Sequence, residues 1–512
     1  MTIGKLLEGY DVALPIDPKT SVTGLCYDSR KVTAGCVFFA LPGVKEDGGV
    51  FAQSALENGA LLVVAGKAIP GVAPLIVIPE VRAAMGEMSA RFYGQPSRSL
   101  KVIGITGTNG KTTTAFLCRH ILDHSLQRCG LIGTVKYVVG EKELPATHTT
   151  PEAPDLQRLL AQMCDEGNRA VAMEVSSHAI AQERIGGIDF NVAVFTNLTQ
   201  DHLDYHKTME AYFDTKSRLF TAMNEGRKKG KALINTDDRY GDILKNRLDK
   251  LGVTTFSYGR SHTCDFRAGD VTFDIRGAQF HLTARGRKYL VRLPLIGEFN
   301  VSNALAAIAS TALVGVEIRA AIAALAACPQ VPGRLQRVPS KRHFQVFVDY
   351  AHTEDALQNT LSTLRNLKPK HIITVVGCGG DRDKAKRPRM AAAAETQSNH
   401  SIFTTDNPRS EDPMLILSDM RKGLRTGRYE IIPDRTEAIR RAIRLASDGD
   451  IVLIAGKGHE TYQEIHGVRT PYDDVKIAAQ CIEERPVEIE LDEPEEFDEE
   501  PEMPPLEEGV QE

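Results

Sequence analysis

The stretch from Lys101 to Thr114, KVIGITGTNGKTTT, holds the residue types that handle phosphate. Its apolar, β-branched start through Ile105 predicts a buried strand, and Thr112 onward (TTTAFLCRHIL) repeats apolar residues at helical spacing. Between them lies a turn built from glycine. A strand that breaks at glycines and re-enters a helix aims successive backbone N–H groups, and the positive end of the helix dipole, at one point. That is an anion nest. Lys111 would lie along the β- and γ-phosphates of a nucleotide, and Thr112 would offer its hydroxyl to Mg²⁺. Ile105 stands where the strict P-loop pattern has its first glycine, so the loop is a variant, Gly107, Thr108, Asn109, Gly110, Lys111, Thr112 and Thr113.

Two further apolar runs empty into polar clusters. AVAMEVSSHA (170–179) ends in Glu174, Ser176, Ser177 and His178, and NVAVFTNLTQDHLDYH (191–206) ends in Asn197, Asp201, His202, Asp204 and His206. A strand tip beside a phosphate loop is where a carboxylate or imidazole can meet the metal on a nucleotide, so Glu174 and His202 are the candidate ligands. One such cluster is more often a solvated loop; two in one unit with the glycine loop favour a site. MEAYFDTKSRLF (209–220) predicts an amphipathic helix with Met209, Tyr212, Phe213 and Phe220 on one side. Lys216 falls near that seam, where lysine ordinarily snorkels to water.

The elements that position these residues divide into three α/β units, because the chain is longer than one hydrophobic core usually organises. Residues 1–98 read as a small unit with strands at Val37–Leu41, Leu61–Ala65 and Leu75–Ile78. Its loop groups Asp28, Ser29, Arg30 and Lys45 by themselves read as turn chemistry and surface charge. Residues 95–99, QPSRS, read as a linker. Residues 99–331 alternate strands and helices, the signature of a parallel sheet with ligands at the carboxyl ends of its strands. Within them DFRAGDVTFDIR and FHLTARGRKYLVRLPL predict an inserted hairpin, and GEFNVSNALAAIASTALVG a helix from near Asn300. Residues 332–486 contain five apolar runs, HFQVFVDYAH, HIITVVGCGGDRD, SIFTTDNPR, YEIIPD and DIVLIAGKGHE, which predict a second open parallel sheet. The loops GCGGDRDKAKRP and DNPRSEDP set arginine beside acids, suited to a carboxylated or zwitterionic ligand because guanidinium pairs carboxylate bidentately. Any one such arginine taken alone reads as a surface salt bridge. Residues 487–512 are acidic and proline-bearing, and disorder is expected there.

Composition narrows the function classes. The nine cysteines are scattered without a CxxC pair, which favours reduced thiols over a disulfide framework or zinc site. No apolar run approaches the roughly 20 residues that span a bilayer, and MTIGKLLEGYDV lacks the regions of a signal peptide, so a cytoplasmic location without membrane insertion is expected. The net charge of -5 includes 13 Asp and Glu after Arg485, with no Lys or Arg there, which leaves the remainder at about +8. A mildly basic body suits anionic substrates. No basic run carries interleaved aromatics, so nucleic acid is not an expected partner.

A dozen ordered motifs then resemble the Mur ligases: DSR (28–30), GTNGKTT (107–113), TTP (149–151), EVSSH (174–178), NL-x-x-DHLDYH (197–206), AYFDTKSRLF, FNVSN (299–303), PGR (332–334), VDYAH (348–352), GCGGDRD (377–383), DNPR (406–409) and GKGHE (456–460). The resemblance covers residues 20–480. It implies a central P-loop-type parallel-sheet ATPase domain (99–331), flanked by a small N-terminal α/β domain that binds UDP (1–98) and a C-terminal Rossmann-like domain that binds the incoming amino acid (332–486). It implies a monomeric ligase of peptidoglycan precursor synthesis that uses ATP and Mg²⁺ to add meso-diaminopimelate to UDP-N-acetylmuramoyl-L-alanyl-D-glutamate through an acyl phosphate. By the same resemblance Thr112 and Glu174 would hold one Mg²⁺, and His202 and Lys216, the latter as a carbamate formed with CO₂, a second. Lys111, Glu174, His202 and Lys216 form the implied catalytic set. Asn303 would contact adenine, Arg334 the phosphates and Asp349 the ribose. Tyr27, Ser29, Val44, Lys45 and Glu46 would line the UDP pocket, and His148, Thr149, Thr150, Ser176, Gln182 and Arg184 would hold the muramoyl dipeptide. Arg382, Asp406, Asn407, Pro408, Arg409, Gly456 and Glu460 would form the diaminopimelate pocket, because Arg409 finds a second carboxylate on diaminopimelate and none on lysine. His148 departs from the asparagine common before TTP, and Glu354 from the proline common after DYAHT. The alternatives are the lysine-adding member, a folate-glutamate ligase without the first unit, and a silent nucleotide-binding scaffold.

Overall fold

The phosphate-loop strand, Lys101–Thr106, lies inside an eleven-stranded sheet between Val192–Phe195 and Ala170–Glu174, parallel to both. Register sets Ile105 opposite Glu174 and Thr106 opposite Phe195, so three strands deliver their polar tips to one place. The structure is a computed structural model that describes residues 1–43, 46–125, 127–224 and 226–485. Val44 and Lys45 of the expected UDP pocket, and the acidic tail, lie outside the described residues. From Val102 onward these central strands are buried because both faces of the sheet are covered, as parallel sheets require. One face packs on helices Lys111–His124 and Glu298–Leu313, and the other on Ala153–Asp165, Met209–Thr221 and Arg239–Lys250. The alanines of Glu298–Leu313 let it lie close against the phosphate-loop helix, where Cys118 Sγ and Ser310 Oγ are 3.2 Å apart.

One expectation for this unit is corrected. The inserted hairpin is a three-stranded antiparallel meander, Phe266–Asp274, Gly277–Ala284 and Arg287–Leu293. The second apolar run breaks at Arg285 (φ 51°) and Gly286 (φ 72°), successive left-handed residues that turn the chain back. Residues 95–99, between the first two units, are closely packed. Pro96–Arg98 forms a 3₁₀ turn with Pro96 and Ser97 buried, and the Ser97 carbonyl accepts from Lys228 Nζ at 2.6 Å.

The first unit is a four-stranded parallel sheet, Gly24–Cys26, Cys36–Ala40, Leu62–Ala65 and Leu75–Val77, covered by helix Val81–Phe92 on one side and Ala52–Glu57 on the other. The third is a six-stranded sheet ordered Gln336–Val338, Gln345–Asp349, Ile451–Ala455, Ile372–Cys378, His400–Thr405 and Tyr429–Ile431. The five apolar runs are its parallel strands; the polar edge strand Gln336–Val338 pairs antiparallel. No helix among the described residues is long and apolar enough to cross a membrane.

Candidate active site

At its two glycines the loop is too tight for any side chain. Gly107 has φ 147° and a Cβ there would lie 1.9 Å from Thr196 Oγ1; Gly110, at the N-cap of Lys111–His124, has φ 86° and a Cβ would lie 2.4 Å from Asn303 Oδ1. The neighbouring strand tip braces the loop. Thr196 Oγ1 donates to the Asn109 carbonyl at 2.6 Å, and the Asn109 amide donates to Asn197 Oδ1 at 2.9 Å. Lys111 Nζ folds back on the Gly107 and Thr108 carbonyls at 2.9 and 2.8 Å, which holds its charge at the mouth of the nest. Burial pulls its pKa down, against the pull of Glu174 and Asp201.

Thr112 and Glu174 meet directly. The Thr112 hydroxyl donates to Glu174 Oε2 at 3.0 Å, and the Thr134 amide donates to Oε1 at 2.9 Å. From the third unit Arg334 reaches across to Thr112 Oγ1 at 3.1 Å, its guanidinium stacked 4.6 Å from the Tyr350 ring. Among the described residues no trio of His, Cys, Asp and Glu converges as a metal cage. One hydroxyl beside one carboxylate nonetheless fits Mg²⁺, which takes few protein ligands and completes its shell with phosphate and water.

Lys216 does not snorkel. It is 1% exposed, and Nζ turns inward beneath the loop to donate to the Gly107 carbonyl at 2.9 Å, 4.7 Å from the Tyr212 ring. The loop carbonyl supplies a partner inside that water supplies outside. Burial, with Lys111 adding to it, drives its pKa well below the usual lysine range, which favours the neutral amine. His202 stands on the next loop in a left-handed conformation (φ 53°), its ring 4.9 Å from His178 and its Nε2 3.4 Å from Asp201. Desolvation, reinforced by His178, Lys111 and Lys216 against the pull of Asp201, holds it neutral with a pKa of about 4.

Glu174, His202, Lys216, Asn303 and Arg334 line one cleft with the loop, with a cavity volume of about 350 Å³. Asp349 borders it, but both its oxygens already accept backbone amides, Leu335 N at 2.6 Å and Ala351 N at 2.8 Å, and burial raises its pKa. Asn303 is bonded to Asn300 Oδ1 at 3.1 Å.

The expected dipeptide residues form a neighbouring network. Thr149 Oγ1 lies 3.0 Å from Thr134 Oγ1, Thr150 Oγ1 donates to the Glu174 carbonyl at 2.9 Å, and Ser176 N donates back to Thr150 Oγ1 at 3.1 Å. Arg184 grips the Thr150 carbonyl (3.0 Å), Gln182 Oε1 (2.7 Å) and Glu152 (3.0 Å). The His148 carbonyl accepts from Tyr137, while its imidazole is pulled down by burial. From the first unit Tyr27 donates to Asp155 Oδ2 at 2.6 Å; Ser29 opens a 3₁₀ turn capped by Asp28, and Glu46 is exposed.

The third-unit residues gather at adjoining strand tips. Asn407 Nδ2 donates to Glu460 Oε2 at 2.6 Å, and a Cβ on Gly456 would lie 2.7 Å from Asp406 Oδ2. Arg409, left-handed at φ 55°, donates to the Gly380 carbonyl at 2.8 Å; the Pro408 carbonyl sits where a Gly380 Cβ would be. Arg382 points to solvent near Asp381. Burial and Asp406 raise the Glu460 pKa. This group abuts the cleft, since a Cβ on Gly333, beside Arg334, would lie 2.2 Å from His459 N.

Sequence reading missed three residues here. Asp355 accepts from Asn109 Nδ2 and Thr199 Oγ1, both at 3.1 Å, and so ties the third unit to the glycine loop; its only signal was an acidic first turn after the cap Thr353. Thr134 braces Glu174 from a loop with no motif. Lys457 lies inside GKGHE.

Three family descriptions match the chain: Mur ligase family, catalytic domain, over residues 21–93; Mur ligase middle domain over 105–311; and Mur ligase, glutamate ligase domain over 333–458. The chain is similar to the UDP-N-acetylmuramoyl-L-alanyl-D-glutamate–2,6-diaminopimelate ligase of Syntrophomonas wolfei, 42% identical over 94% of this chain and 99% of that one. The chain belongs to the Mur ligase family. A second relative of the same name, from Geobacillus kaustophilus, is 45% identical to this Mur ligase over 91% of its length and 95% of the relative's. A solved structure described as a UDP-N-acetylmuramoyl-L-alanyl-D-glutamate–2,6-diaminopimelate ligase superposes with a TM-score of 0.70 at 38% identity, covering 94% of this Mur ligase and 99% of that chain. Membership makes it an ATP-dependent ligase of the three-unit α/β fold.

Proposed function

We propose that this Mur ligase joins meso-diaminopimelate to the D-glutamate carboxylate of UDP-N-acetylmuramoyl-L-alanyl-D-glutamate, with ATP hydrolysed to ADP and phosphate, in peptidoglycan precursor synthesis. The observation that carries the substrate is the meeting of DNPR with GKGHE, which sets acids for an ammonium beside Arg409 for a carboxylate. An amino acid with a second carboxylate at its far end matches that pair; lysine leaves Arg409 without a carboxylate partner, a costly arrangement in a closed site.

The chemistry asks for charge neutralisation and alignment, because a carboxylate must approach a polyanion. The loop amides and Lys111 receive the phosphates, and Arg334 covers them from the third unit. The D-glutamate carboxylate attacks the γ-phosphorus, forming an acyl phosphate as ADP leaves. The amine of diaminopimelate then adds to the acyl carbon, and the tetrahedral intermediate expels phosphate as the amide forms. Thr112 and Glu174 would hold one Mg²⁺, and His202 with Lys216 as its carbamate a second; such ions offset charge between the phosphates and the incoming carboxylate. One feature of this chain supports the carbamate: burial drives the Lys216 amine towards its neutral, nucleophilic form; as a carbamate it would be an anionic ligand where an ammonium would repel. Tyr27, Ser29 and the 44–46 segment take UDP, while Thr149, Thr150, Ser176 and Arg184 take the dipeptide. We take the working unit to be a monomer that acts in the cytoplasm.

The test is isotopic. A dipeptide substrate labelled with ¹⁸O in the D-glutamate γ-carboxylate should transfer one label to inorganic phosphate on each turnover. Unlabelled phosphate with full amide formation would exclude the acyl phosphate.

A further inference from the structure

Lys457 is a fully buried cation under the proposed amino-acid pocket, with no part in the chemistry above. It is 0% exposed. It follows strand Ile451–Ala455 between two left-handed glycines, Gly456 (φ 112°) and Gly458 (φ 56°), a backbone path that turns the side chain beneath the loop. Nζ donates to Asn407 Oδ1 at 2.9 Å and lies 3.6 Å from Glu460 Oε2 and 3.9 Å from Asp406 Oδ1, with the Tyr462 and Tyr472 rings 5.7 and 5.9 Å away. The Asn407 amide orientation follows from that bond. With Oδ1 held by Lys457 and by Glu464 N at 3.0 Å, Nδ2 is left to donate to Glu460.

We infer that Lys457 is a positioning residue for amino-acid recognition: it orients Asn407 and keeps Glu460 ionised for the ammonium of the incoming amino acid. The inference rests on the pocket proposed above. The charges facing Glu460 are Asp406 on the neighbouring strand tip, Lys457 on its own loop, Arg409 at the mouth and Arg469; the buried pair Arg435 and Asp474 lies beside Lys457, and the phenols Tyr350 and Tyr462 also adjoin Glu460. Asp406 and burial oppose ionisation, while Lys457, Asn407 and Arg409 favour it. Burial lowers the Lys457 pKa against the pull of Asp406 and Glu460, and two variants separate its charge from its hydrogen bond.

Lys457→Met removes both at similar length, and Lys457→Gln keeps a donor for Asn407 without the charge. Steady-state rates are measured against meso-diaminopimelate and ATP from pH 6 to 9, with thermal melts as the check on folding. Lys457→Met should raise KM for diaminopimelate about tenfold or more, the scale of a lost hydrogen bond to a charged group, with KM for ATP within about twofold. In both variants the acidic limb of kcat/KM for diaminopimelate should move to higher pH, because Glu460 loses its cation. Should Lys457→Met fail to fold, Lys457→Gln still decides through the pH limb. Unchanged limbs, or equal rises in both KM values, would overturn the inference. Absence of diaminopimelate turnover in the unmodified protein would instead remove the reading on which it rests.

Discussion

Gly110→Ala separates backbone strain from the contact that shapes the nucleotide pocket. The residue sits at φ 86°, where alanine costs about 1–2 kcal/mol. Its Cβ would also lie 2.4 Å from Asn303 Oδ1, so Asn303, bonded to Asn300 and Thr114, must move. Each of those buried bonds is worth about 1 kcal/mol net, so the total loss of stability should be about 2–4 kcal/mol. Gly9 is the control: φ 87° and nothing within 4 Å of its Cβ. Gly9→Ala should show the strain alone, about 1–2 kcal/mol, with nucleotide affinity unchanged. Calorimetric titration with ADP and Mg²⁺, together with urea denaturation, reads both quantities. Gly110→Ala should weaken ADP at least about tenfold, or 1.4 kcal/mol. Unaltered ADP affinity in Gly110→Ala, with a stability loss no larger than in Gly9→Ala, would refute the placement of Asn303 against the loop as a nucleotide contact.

Lys216→Ala should nearly abolish ligation, with partial recovery on adding short-chain carboxylates that replace the missing anion; wild-type turnover without them would take Lys216 out of the mechanism. Asp474→Ala strands Arg435 in a core where both side chains are 0% exposed, and should cost about 3–5 kcal/mol in denaturation; a loss below about 1 kcal/mol would contradict that burial. Glu411 has its pKa lowered from 4.5 to about 2, chiefly by hydrogen bonding to Arg387. Its folded value lies below the unfolded one, so its stabilisation is complete above about pH 4.5 and is lost as pH falls towards 2. The stability gap between wild type and Glu411→Gln should therefore be widest near pH 6 and close on acidification; a gap that widens in acid would reverse the sign.

The phosphate loop was legible because strand, glycines, Lys111 and Thr112 are contiguous, and the central strands of the parallel sheets, such as Ala170–Glu174 and Ile451–Ala455, announced themselves by apolar runs. Short polar elements did not. Gln336–Val338 has one buried residue, and the break at Arg285–Gly286 is a backbone event within a run of strand-forming residues. Lys216 shows the limit of periodicity, which located the helix face but not the Gly107 carbonyl that lets an amine stay inside. Asp355 and Thr134 were invisible because their partners lie about 246 and 40 positions away, and such contacts depend on how units and loops meet, which no local pattern encodes. The family resemblance supplied roles that spacing alone left open.

The central claim is that one cleft couples ATP to amide formation with diaminopimelate. Purified protein given ATP, Mg²⁺ and UDP-N-acetylmuramoyl-L-alanyl-D-glutamate, with meso-diaminopimelate or L-lysine in parallel, should yield by mass spectrometry the tripeptide product with diaminopimelate alone. Product chiefly with lysine would overturn the role given to Arg409, and ATP binding with neither product would contradict the account as a whole.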